Sequence, residues 1–333
     1  MSISWLCDPL KKYPSGEFRM VSVVKRAVMI LVVCVAAVSA YGYVSDDLDF
    51  VPMDGSDSSY GTGSLAPRIT NSLGQEFVLI PKGSFMMGSP KGESKRDDAE
   101  TQHRVTITKA FYLQTTEVTV GQWRLFTKGT GYRTEAETGG GAYQWTGKKW
   151  EEKEGIYWDN PGFEQTERHP VTCVSWNDVT KYVSWINRKE ETDKYRLPTE
   201  AQWEYACRAG TTTAFSTGRC ISTNQANYDG NYPMPNCTKG RYREKTVKVG
   251  SFSPNKWGLY NMHGNVWEWC KDWYGNYPGG HVTDPKGPSS GSRCVLRGGG
   301  WGSNAGYARS ASRIRGGPGC RYNDDGFRVA RAF

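Results

Sequence analysis

The hydrophobic pattern begins in strand-like stretches. EFVLIPKGSFMMGS (Glu76 to Ser89) has strand composition broken by Pro81-Lys82-Gly83 as a turn, and HRVTITKAFYLQTTEVT (His103 to Thr119) alternates apolar with polar. A helical period then takes over in three places. Thr119 is placed to cap a short helix, VGQWRLFTK. SWNDVTKYVSWINRKE offers Asn177 as N-cap and an apolar stripe of Val179, Tyr182, Val183, Trp185 and Ile186. LPTEAQWEYACRAG has Thr199 as cap, Gln202 three residues on as a capping box, and Gly210 as the stop. Beyond residue 210 the helical period is lost. Gly and Pro recur every few residues, so turns and short strands are expected there.

The ends of the chain differ from this body. From Met20 the sequence runs MVSVVKRAVMILVVCVAAVSAYGY, in which Lys25 and Arg26 precede an apolar run and Val38-Ser39-Ala40. That order predicts an export signal cleaved near Ala40, with residues 1–19 as an upstream extension. LVVC at Leu31 to Cys34 also permits lipid anchoring. The protein is therefore expected at the cell surface or in the periplasm. Residues 41–69, rich in Asp, Ser and Gly, predict a flexible tether. Residues 70–333 then read as one domain. The chain has 333 residues, 13% aromatics including 13 Trp, and 39 Gly, a profile for a loop-rich fold with an aromatic core.

The net charge of +8 is spread in ones and twos, without the basic stripe of a nucleic-acid binder, so no nucleic-acid partner is expected. Seven cysteines follow residue 40: Cys173, Cys207, Cys220, Cys237, Cys270, Cys294 and Cys320. None forms a CxxC pair, and four His in the chain leave little for zinc.

Five motifs carry a resemblance: EFVLIPKGSFMMGS, HPVTCVSWNDV, YRLPTEAQWEYACRAGT, NKWGLYNMHGNVWEW, and RGGGW…RSASR…GFR. In this order, over about residues 75–333, they resemble the formylglycine-generating-enzyme (sulfatase-modifying factor) family. The resemblance implies an α+β, C-type-lectin-like fold with short sheets and two or three helices. It also implies a copper(I) oxidase using two thiolates, since soft ligands select Cu(I). At those two positions this chain has Ser303 and Ala308, which offer no thiolate. The family's calcium set carries over as Asn261, Gly264, Val266 and Glu268; hard oxygen donors suit Ca²⁺. The alternative is that Asn261 caps a turn and Glu268 pairs with an Arg. Otherwise no cofactor is expected.

The segment from Arg297 to Arg328 contains no Lys, Glu, Gln or Met. Set apart its recurring frame, and the fillers are Gly300, Gly302, Ser303, Asn304, Gly306, Tyr307, Ala308, Ser312, Ile314, Arg315, Gly316, Gly317, Gly319, Cys320, Tyr322, Asn323, Asp324 and Asp325. Each is reachable from an Asn codon by changing its two adenines alone. This resembles the variable proteins of diversity-generating retroelements, treponemal ones among them. The resemblance implies a non-catalytic display protein whose fillers contact a protein or other macromolecular ligand. Tyr, Ser, Gly and Asn are suited to such contact. Trp301, Arg309, Arg313, Arg321 and Arg328 are expected to hold the loops. Cys320, the odd thiol, is expected to be exposed and unpaired on the binding face. An oxidase with a relocated active site is the rival reading.

Overall fold

The computed structural model describes residues 67–146 and 149–333. The expected export signal and most of the expected tether lie outside the described residues. In chain order the elements are β1 (Arg68–Thr70), β2 (Glu76–Ile80), β3 (Gly83–Met87), β4 (His103–Ile107), β5 (Phe111–Gln114), α1 (Val120–Thr130), α2 (Glu135–Thr138), β6 (Ala142–Trp145) and β7 (Trp150–Lys153). There follow α3 (Trp176–Lys189), β8 (Tyr195–Arg196), α4 (Glu200–Arg208), β9 (Trp267–Trp273), β10 (His281–Thr283), β11 (Cys294–Arg297), β12 (Arg313–Gly316), β13 (Asp325–Gly326) and β14 (Ala330–Ala332). Arg68 and Ile69, read as the end of the tether, are already in a strand.

The sheets are short. One runs β1-β2-β5-β14-β8, so the last strand lies between β5 and β8. A second, β12-β11-β9-β13, holds both ends of the segment 297–328. The smaller β10-β4-β3 sheet and the β6–β7 hairpin complete the set.

The helices start where side chains can close the free N–H groups of the first turn. Thr119 caps α1 and Thr199 caps α4, each in a capping box with Gln122 or Gln202. α4 ends as Ala209 and Gly210 turn left-handed, with φ of 44° and 88°. α3 corrects the sequence reading. Its cap is Ser175, boxed with Asp178, and not Asn177. The buried Asp178 carboxylate also accepts the Tyr132 hydroxyl at 2.8 Å and the Glu135 N–H at 3.0 Å, so this start ties three segments together. Asn177 instead donates to the Glu135 carboxylate.

The core is aromatic. Trp123 stacks on Tyr182 with centroids 5.2 Å apart, and Phe126 and Phe327 meet Tyr182 edge-on. Trp203, Trp267 and Trp269 are fully buried where α4 packs on β9 and β11. This packing makes a rigid floor beneath the C-terminal turns.

Candidate functional site

Arginines fix the segment 297–328 to that floor. Arg309 forks onto both oxygens of Glu100 at 2.8 and 2.7 Å, and reaches Glu93 and the Lys95 carbonyl. Arg313 grips both oxygens of Glu200 at 2.7 Å and stacks on Tyr277 and Tyr274, 3.9 and 4.3 Å from their ring centres. Arg328 holds Glu268 at 2.7 and 2.8 Å. Arg321 donates to the Gly141 carbonyl at 2.7 Å and to Glu152. These are the expected fork donors. Arg297 adds a fifth, pairing with Glu204 and the carbonyls of Ser310 and Ala311. Breaking such a buried pair typically costs about 3–5 kcal/mol, because it leaves a charge uncompensated.

The turn after β11 follows from two glycines. Gly298 and Gly299 have φ of 98° and 81°, and a Cβ on Gly299 would lie 3.1 Å from the Ala308 Cα. The chain then folds back so that the Ser303 hydroxyl accepts the Gly300 N–H at 3.1 Å and the Ser303 carbonyl accepts the Asp229 N–H at 2.8 Å. His263 lies below. Its Nδ1–H donates to the Ala308 carbonyl at 2.8 Å, and its Nε2 accepts the Ser216 N–H at 3.0 Å. Burial pushes this imidazole down to about 4, so it is a neutral prop. Trp301 closes the loop by donating from Nε1 to the Asn323 carbonyl at 3.1 Å.

The fillers divide. Gly302 and Arg315 are exposed, and Asn304, Tyr307, Gly316 and Gly319 are half-buried. Gly300, Ser303, Gly306, Ala308, Ser312, Ile314, Gly317, Cys320, Tyr322, Asn323, Asp324 and Asp325 are buried. The expectation for Cys320 is overturned: it is 1% exposed and disulfide-bonded. Its neighbour Tyr322 stacks on Tyr143 at 4.8 Å and meets Trp150 edge-on at 5.0 Å, inside the main core cluster. That part of the segment is core because its backbone is paired internally, as in Cys173 N–H to the Tyr322 carbonyl and Asn323 N–H to the Tyr143 carbonyl. Room for a side chain also differs among these glycines. A Cβ on Gly302 would meet nothing nearer than the Tyr242 hydroxyl at 3.7 Å, and one on Gly319 only Glu135 at 3.4 Å. On Gly316 it would come within 2.8 Å of Trp269, and on Gly300 it would strike the Asp324 carboxylate.

Copper chemistry needs accessible thiolates. The free cysteines Cys173, Cys207, Cys270 and Cys294 are all buried, and burial raises each thiol, Cys207 and Cys294 to about 12. Cys220 and Cys237 are joined in a disulfide. The calcium set spans the turn before β9 and the start of that strand, with Asn261 and Gly264 at φ of 53° and 80°. As folded, it does not fit the ion. Both Glu268 oxygens accept the Arg328 fork, one also accepts Trp203 Nε1 at 2.8 Å, and the Gly264 carbonyl accepts the Val266 N–H. Of the four residues' side-chain oxygens, Asn261 Oδ1 alone lacks a hydrogen-bond partner among the described residues. A hard dication needs the carboxylate's charge, which Arg328 already neutralises.

Apart from Glu268, whose pairing with an arginine was one of the two readings of the sequence, the acceptors of the arginine forks are what sequence reasoning missed. Glu200 and Glu204 were legible as an i,i+4 pair on α4, a spacing that places both on one face. Glu93 and Glu100 carry no such signal, because they lie in a loop and a single 3₁₀ turn. Beneath Arg328, Glu117 is fully buried and accepts Asn261 and Asn265 side-chain N–H groups, and burial raises its carboxyl to about 7.

Residues 63–333 match the sulfatase-modifying factor enzyme 1-like domain. The chain is similar to the formylglycine-generating enzyme of Bos taurus, 34% identical over 286 residues that cover 77% of this chain and 74% of the relative. Among solved structures it resembles PvdO from Pseudomonas aeruginosa, with a TM-score of 0.66, 29% identity, and coverage of 82% of this chain and 100% of that one. It also resembles Treponema denticola variable protein 1, with a TM-score of 0.62, 24% identity, and coverage of 80% and 99%. This last likeness is one of fold. The α+β, C-type-lectin-like class is thus the one the chain adopts. Its long aromatic core, its arginine-tied C-terminal turns and its match along the whole described domain place the chain in the sulfatase-modifying factor family, whose members include the formylglycine-generating enzymes.

Proposed function

We propose that this chain is a non-catalytic ligand-binding member of the family, exported and displaying its C-terminal turns as a diversified contact surface. The observation that carries the reading is the pair Ser303 and Ala308 in the turn where the family resemblance puts two metal-binding thiols. Ser303 spends its hydroxyl on the Gly300 N–H, and Ala308 has none to offer. The contact surface is narrower than the whole segment 297–328. It consists of Gly302, Asn304, Tyr307, Arg315, Gly316 and Gly319, which reach solvent while the buried fillers serve packing. A fixed scaffold beneath variable loops is what a changing binding surface requires. The ligand is a protein or other macromolecule, and a membrane is met only through the N-terminal segment.

The rival reading, an oxidase with a relocated site, is favoured by the 34% identity to a protein named as a formylglycine-generating enzyme. One assay separates the two. Copper-treated protein mixed with a cysteine peptide should give no formylglycine by mass spectrometry, and turnover above background overturns the non-catalytic reading. Diversification has its own test. The flanking DNA should hold a reverse transcriptase gene and a near-copy of codons 297–328 differing at adenines; filler codons that end in A or G across the segment would refute it.

A further inference from the structure

A cavity of about 730 Å³ opens between the end of β4, the start of α4, β9 and the last residues of the chain. Its wall carries four cations: Lys109, Arg196, Lys271 and Lys286. Among the described residues, none of the four makes an ion pair. Asp284 is the one acidic side chain on this wall, and its carboxylate is already engaged by the Thr108 N–H at 2.9 Å and the Thr108 hydroxyl. Positive charge is in excess even with the main-chain carboxylate of Phe333 counted.

Arg196 is the informative member. The buried arginines Arg297, Arg309, Arg313 and Arg328 are each paired with a carboxylate, whereas the half-buried Arg196 is not. Arg196 spends one nitrogen on neutral acceptors, the Leu197 carbonyl at 3.1 Å and Gln202 Oε1 at 2.7 Å. Its other guanidinium donors have no partner among the described residues. Burial lowers its affinity for its proton and the nearby charge of buried Asp272 offsets this only in part, the opposite of the forked arginines. A half-buried guanidinium is costly to leave this way unless something anionic completes it.

We propose that this cavity binds a small polyanion, a molecule bearing two or more carboxylate or phosphate groups. The volume lies within the usual range for small-ligand sites. The planar Arg196 fork matches one carboxylate or phosphate bidentately, while the three lysines supply mobile point charges around the rim. Clustered like charge in a concave wall concentrates counter-ions there. None of residues 297–328 lines the cavity, so the proposal is independent of the display reading.

The test is calorimetric titration of the full-length protein with citrate and with pyrophosphate at about 0.15 M ionic strength. At least one should bind with one-to-one stoichiometry, and the tighter of the two identifies the preferred group. Arg196→Gln should weaken binding about tenfold, the effect of losing one good charge-assisted contact. Lys271→Gln with Lys286→Gln should weaken it comparably, whereas Lys181→Gln, an exposed charge on α3, should not. If Arg196→Gln lowers Tm, the double lysine variant decides. Binding of neither probe, or an equal loss in Lys181→Gln, overturns the proposal.

Discussion

The turns at 302–307 and 320–325 lie in one continuous segment and each carries an Asn and a Tyr, yet the first reaches solvent at three positions and the second is almost wholly buried. The first hangs from Gly298–Gly299 and presents Gly302, Asn304 and Tyr307 outward. The second threads between the β6–β7 hairpin and β9, where Trp267 N–H bonds the Asp324 carbonyl at 2.7 Å and Tyr322 packs on Tyr143 and Trp150. Small polar residues therefore specify that the chain turns here. They do not specify which side of the turn meets water. That depends on whether neighbouring backbone has unpaired groups to satisfy, because a buried N–H or carbonyl must find a partner.

The comparison breaks first if the shared frame is not what holds both turns. Arg328→Leu should cost about 3–5 kcal/mol in urea denaturation, since it strands the Glu268 and Glu117 carboxyls in the interior. A loss under about 1 kcal/mol would show that the fork is decorative. Trp301→Ala and Tyr322→Ala should each cost about 3 kcal/mol or more as buried aromatic truncations. If Tyr322→Ala were as mild as a surface change, the second turn would be as peripheral as the first, and the contrast would vanish.

Acidity sharpens the same point. Burial raises the Glu117 carboxyl to about 7 in the folded chain, well above the usual range of a glutamate. The folded state therefore holds a proton that the unfolded state has released, and this contribution to stability is full below about pH 4.5 and lost as pH rises through 7. Glu117→Gln should remove a destabilisation on the order of 3 kcal/mol at pH 8 and flatten the dependence of Tm on pH between 5 and 8. An unchanged profile would mean that another group governs this region. The smallest effects belong to the outward turn and to β12. Gly302→Ser and Arg315→Ser should each stay within about 0.5 kcal/mol by denaturation. A larger loss at Gly302 would place it with the buried glycines Gly300 and Gly306.

Much of the architecture was legible in the chain itself. Thr119, Thr199 and Gln202 announced helix starts through side chains that close the first turn, and such local chemistry acts without tertiary help. The arginines of the C-terminal segment announced themselves as fork donors, because a cation recurring among small residues must find acceptors if the loop is to be held. Five ordered motifs fixed the family. What the tertiary structure decided were the partners and the sides: Ser175 over Asn177, because Asp178 meets Tyr132 and Glu135 across the core; Glu268 held by Arg328 in place of an open ligand set; and Cys320 and Tyr322 turned inward. Each of these depends on groups from segments far apart in sequence that only the packed fold brings within hydrogen-bond or ring-contact distance.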